Sequence, residues 1–137
     1  MKSLIFIVLS LVLFTNCSCV RSGISDEMII GLLSFDQESI GYYSSIEEKD
    51  LNKPIAEKIS DSVYIISFFT EESGSPAFEG GYKLIGKTLT LYYQDVDMQP
   101  LKSINIYKLK YQIIIEDEDF DFDEIEIVRL YPIKRGL

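Results

Sequence analysis

Gly80-Gly81-Tyr82-Lys83-Leu84-Ile85-Gly86-Lys87-Thr88-Leu89-Thr90-Leu91-Tyr92-Tyr93 is followed, after a turn-rich gap, by Ile104-Asn105-Ile106-Tyr107-Lys108-Leu109-Lys110-Tyr111-Gln112-Ile113-Ile114-Ile115. Apolar and polar residues alternate through both runs. Successive side chains of an extended chain point to opposite faces, so this period belongs to half-buried strands. Gly86 divides the first run and predicts a hairpin between residues 77–84 and 87–93. In its second arm Leu89, Leu91 and Tyr93 share one face; Thr88, Thr90 and Tyr92 share the other. Residues 103–116 predict the longest strand, with Tyr107, Leu109, Tyr111, Ile113 and Ile115 on one face. Ile104 and Ile106 fall on the opposite parity, which predicts a bulge near Tyr107.

Working outward, residues 63–70 (Val-Tyr-Ile-Ile-Ser-Phe-Phe-Thr) are β-branched or aromatic almost throughout and predict another strand. Residues 28–35 predict a first strand, 36–39 a turn, and 40–46 a short second strand. Asn52-Lys53-Pro54 offers a cap and a first-turn proline, and Ile55 and Ile59 are four apart, so a short helix is expected there. Residues 125–133 predict the last strand, reached through an acidic hairpin loop at 116–124. The sum is a single all-β domain, an antiparallel β-barrel or β-sandwich meander of about six to eight strands with at most one short helix.

Composition limits the chemistry. The 137 residues include no histidine and no tryptophan, and the formal net charge is −9. Without histidine there is no Ser-His-Asp triad, no Cys-His pair and no His-ligated zinc. The acidic balance argues against nucleic acid as a partner, because nucleic-acid binders concentrate positive charge. No cofactor is implied. Both cysteines lie at or before residue 19, so no disulfide framework supports the domain.

The N-terminus reads as an export signal over 1–16. Lys2 gives a positive start, and Leu4 to Phe14 gives an apolar run interrupted by Ser10. That run is too short to span a bilayer, which takes about 20 residues. The sequence Phe14-Thr15-Asn16-Cys17-Ser18-Cys19 resembles the lipobox of bacterial lipoprotein precursors. The resemblance implies cleavage before the cysteine and acylation of Cys17, with Cys19 as the alternative. It also implies a membrane-anchored protein of the cell envelope, facing away from the cytoplasm. Two or more acyl chains hold a protein stably where one is marginal. Residues 17–27 then read as the lipidated cysteine and a flexible tether, and 28–137 as the β domain.

The loop Glu116-Asp117-Glu118-Asp119-Phe120-Asp121-Phe122-Asp123-Glu124 raises a calcium reading, with Asp117, Asp119, Asp121 and Asp123 as candidate ligands. An EF-hand needs Gly at its sixth place and Glu at its twelfth. Counting from Asp117 these are Phe122 and Val128, and from Asp119 they are Glu124 and Leu130, so that motif is absent. A solvated loop, or a patch for a basic partner, fits the same residues. The nine tyrosines suit either cross-strand packing or a recognition surface. Gly80-Gly81 precedes a strand without the Lys-Ser/Thr of a phosphate loop. Lys108 and Lys110 read as a solvated strand face.

The hairpin at 81–91, with Tyr82, Leu84, Gly86, Leu89 and Leu91 in place, is similar to hairpins of small secreted lipocalin-like domains. That resemblance implies a barrel able to hold a small apolar ligand. The leading functional expectation is a non-enzymatic, lipid-anchored module that binds a protein or a small ligand through its β surface. Two alternatives stay open. One is an acidic inhibitor or immunity-type protein that covers a basic partner, and the other is a hydrolase using two carboxylates.

Overall fold

The computed structural model describes residues 20–21, 23–42, 46–74, 76–97, 103–117, 119–131 and 133–134. The predicted signal over 1–16, and both Cys17 and Cys19, lie outside the described residues.

The strands in chain order are β1 (Val20–Arg21), β2 (Leu32–Tyr42), β3 (Ile55–Lys58), β4 (Val63–Ser73), β5 (Phe78–Ile85), β6 (Thr88–Asp95), β7 (Ile104–Ile114), β8 (Glu124–Arg129) and β9 (Ile133–Lys134). Short 3-10 turns at Asp26–Ile29 and Glu48–Asp50 are the helical elements among the described residues. A four-stranded sheet runs β2-β7-β4-β3, a three-stranded sheet runs β5-β6-β8, and β1 pairs with β9. The all-β class holds. The sheets are not closed into a barrel, and their strand order is largely non-sequential, so a meander is replaced by a crossed-over sandwich.

Alternation builds the interior. β4 turns Tyr64, Ile66, Phe68 and Thr70 inward, β6 turns Leu89, Leu91 and Tyr93, and β7 turns Tyr107, Leu109, Tyr111 and Ile113. All of these but Thr70, which is buried as a polar residue beside them, belong to one hydrophobic cluster. Its rings meet mostly edge to face or tilted: Phe35 on Tyr111 at 4.9 Å, Phe68 on Tyr93 at 5.6 Å, and Phe78 on Tyr107 at 5.5 Å. Such pairs add about 0.5–1.5 kcal/mol each beyond the area they bury.

Several expectations are corrected. The turn at 36–39 does not exist, and β2 runs straight through it. Asp36 and Glu38 stand directly opposite Lys110 and Lys108, so the charged residues are one face of a strand. The chain enters β2 through Gly31, whose φ is +78°, and Met28 and Ile29 belong to a 3-10 turn rather than to the strand. The helix expected near Ile55 is an edge strand, β3, antiparallel to β4. The bulge expected near Tyr107 lies on the partner strand. β7 keeps an unbroken register with β4, whereas β2 skips between Ser39 and Gly41 opposite Tyr107 and Ile106. The acidic stretch is not a hairpin loop. It crosses from the four-stranded sheet to the other, where β8 pairs with β6 in parallel, Thr88 opposite Glu124 through Tyr93 opposite Arg129.

Residues 23–27, which the sequence assigns to a tether, pack on the body. Gly23 N–H donates to the Gln94 side chain at 2.9 Å, and the Met28 turn fits over Gly81. Gly80 is needed for a similar reason: a Cβ there would collide with the Phe35 ring.

Candidate functional site

The two ends of the sandwich carry its notable polar chemistry. At one end are the β5–β6 turn, the start of β4 and the acidic loop. Asp123 N–H donates to Lys87 O at 3.0 Å, and Ile115 N–H donates to Ser62 O at 2.8 Å. The loop is held by its two phenylalanines. Tyr64 meets Phe122 edge-on at 5.2 Å, Phe120 meets Phe122 at 5.0 Å, and the Tyr64 hydroxyl donates to Phe120 O at 2.9 Å. With the rings turned in, Asp117, Asp119, Asp121 and Asp123 are exposed. Asp117 also accepts from Asp119 N–H at 3.1 Å. Among the described residues no group of three or more acids converges as a metal ion requires. The sequence identified the acids; the clasp made by Phe120 and Phe122 went unread, although two large rings inside an acidic run were the signal.

At the other end polar pairs join the sheets. Glu72 at the end of β4 receives both Nε and a terminal nitrogen of Arg129 from β8, at 2.6 and 3.0 Å. The pair is largely removed from water, at 10% and 25% side-chain exposure. The hydrogen bond to Glu72 is the leading cause that raises the Arg129 pKa. Thr70 and Tyr93 hydroxyls meet at 3.1 Å in the interior. Gln37 of β2 receives Phe78 N–H at 2.7 Å and donates to Pro76 O at 2.9 Å. Asp95 receives the amides of Ala77 and Asp97. No local pattern announced the pairing of Glu72 with Arg129, Thr70 with Tyr93 or Gln37 with Phe78.

Buried tyrosines fill the middle. Tyr111 donates to Tyr92 O at 2.7 Å and Tyr107 to Gly74 O at 3.0 Å. Burial pushes the Tyr93, Tyr111 and Tyr82 hydroxyls above their ordinary range. Tyr131 is different, 72% exposed, with the Arg129 guanidinium 4.3 Å from its ring centre. Lys108 and Lys110 lie on the outer face, Lys108 beside the Phe69 ring.

Open depressions lie at the sheet margins. One of about 570 Å³ sits beside β3, against Ile46, Pro54, Ile55 and Phe69 with Lys49, Lys53 and Asp50 at its rim. Another of about 410 Å³ follows the seam of β2 and β5, over Phe35, Phe78 and Ile29 with Asp26 and Glu79 beside it. Neither brings an unengaged pair of buried carboxylates together. No family model, curated protein or solved structure matches the chain.

Proposed function

We propose that this chain is an extracytoplasmic protein, anchored by lipid on Cys17 or Cys19, that binds a partner through its sandwich surface and has no catalysis of its own. The supporting observation is the filled interior. Where a ligand carrier needs a cavity, Phe35, Phe68, Phe78, Tyr93, Tyr107 and Tyr111 interlock. Concavity is left at the margins, where it is open to a partner. A dye whose fluorescence rises in apolar sites, such as ANS, tests this. The folded protein is expected to leave its fluorescence unchanged, and saturable enhancement would favour an internal ligand site instead. The anchor is tested by metabolic labelling with a fatty-acid probe. Cys17→Ala is expected to abolish labelling. Loss only with Cys19→Ala would move the anchor, and label in neither protein would remove it.

A second reading, an inhibitor-type protein for a basic partner, is favoured by the acidic loop. Its acids are exposed on a backbone held by Phe120, Phe122 and Tyr64, so less ordering entropy opposes docking.

A further inference from the structure

We infer that the open groove between Ile30 and Ile85, beside the acidic loop, receives an amphipathic segment of a partner protein in which apolar side chains are flanked by lysine or arginine. The inference rests on the inhibitor-type reading above and names what that basic partner must present. The groove measures about 480 Å³ at the outer edge of β5, with Tyr82 and Leu84 half-buried in its wall and Glu27 and Lys83 beside it. Ile30 and Ile85 are 71% and 76% exposed. Two branched apolar side chains held in water around one groove form a surface that a partner covers. A volume of this size takes a few side chains rather than the face of a domain.

The setting is fixed before any partner arrives. The Tyr82 hydroxyl donates to Ile30 O, which fastens the turn before β2 to β5. Asp123 N–H donates to Lys87 O, which fastens the loop to the β5–β6 turn. Ile85 pairs with Thr88, and Thr88 pairs with Glu124. Ile85 and Glu124 therefore share the outer face of the sheet two strands apart, roughly 10 Å. That distance is comparable with the Debye length of about 8 Å at physiological salt, so a cation beside Ile85 feels the loop.

Charge selects the flanks of the segment. Glu27 stands at the groove, and Glu116, Asp117, Asp119, Asp121, Asp123 and Glu124 are exposed along the loop. Against them, among the described residues, this end carries Lys58, Lys83 and Lys87. Lys58 lies over the Tyr64 ring at 5.5 Å, and Lys83 shares a row with Thr90 and Glu126. The acids remain in excess once the lysines are counted. A wholly apolar segment would leave these carboxylates unmatched, and a wholly basic one would leave Ile30 and Ile85 wet. A basic amphipathic segment answers both, and a groove and loop already held in place lose little freedom when it docks.

Two synthetic helices of equal length and charge test the inference by calorimetric titration, one of leucine and lysine and one of serine and lysine. The full chain is expected to bind the leucine–lysine helix more tightly. Ile30→Ser plus Ile85→Ser, both at exposed positions, should weaken that helix at least about tenfold and leave the serine–lysine helix unchanged. Asp121→Asn, Asp123→Asn and Glu124→Gln together should weaken both helices and flatten the dependence on salt. Isoleucine variants that bind the leucine–lysine helix as the native chain does, or that weaken both helices equally, overturn the groove and leave the basic-partner reading standing. Acid variants that bind both helices unchanged, or a native chain that binds neither, overturn that reading and the groove with it.

Discussion

At one end of the sandwich Tyr64, Phe120 and Phe122 close the gap between the sheets with rings; at the other, Glu72, Arg129, Thr70 and Tyr93 close it with charge and hydrogen bonds. The ring end has a loop to restrain, and the loop's own composition is almost wholly acidic. Rings supply cohesion that does not depend on the charge of their neighbours. The polar end joins two strands whose last residues face each other across the layers, and a forked pair fixes that geometry more narrowly than apolar contact does. Cohesion and alignment are thus provided separately, at opposite ends of one core.

The difference is broken most severely at the ring end. Tyr64→Ala removes a 5%-exposed ring together with its hydrogen bond to Phe120. It is expected to cost about 3 kcal/mol in urea unfolding. Limited proteolysis should then begin in residues 115–123, and cleavage first at the polar end would contradict the division of labour.

Glu72→Ala leaves Arg129 largely buried without its carboxylate, and is expected to cost about 2 kcal/mol, less than a fully buried pair because Arg129 keeps contact with water. Arg129→Met added to it should restore part of the loss. A double variant no more stable than the single one would mean that apolar packing cannot replace the pair.

The smallest effect sharpens the comparison by pH. Tyr93 has its pKa raised mainly by burial, so its neutral form is the one the fold favours. That contribution is fully present below the unfolded value near 10 and is lost as pH rises above it. Unfolding followed from pH 8 to 11 should show stability falling above about 10. Tyr93→Phe should cost about 1 kcal/mol at neutral pH and show a shallower fall in alkali.

The alternation that made β4, β6 and β7 legible is a local property, and each strand lies where its own residues place it. Pairing is not local. Nothing near Ile125 or Leu89 states that their strands run side by side in parallel, because that depends on a crossover fastened by Phe120 and Phe122. Asp36 and Glu38 misled for a related reason. Acids suggest a turn until Lys108 and Lys110, some seventy positions on, stand opposite them. Ile55 and Ile59 have helical spacing, yet the backbone of β4 offers a free edge and Ile55–Lys58 takes it. For the candidate surface, the acids could be read and the Glu72–Arg129 pair could not.

β7 lies between β2 and β4, so its placement has a consequence for the order of folding. A chain emerging N-terminus first, from a ribosome or through a pore, presents β2 and β4 long before residue 104 arrives to hydrogen-bond with either. Until then no four-stranded sheet exists: β2 lacks its partner and β4 has β3 along one edge only. The sheet therefore closes late, and the facing edges of β2 and β4 stay open to other strands for that interval.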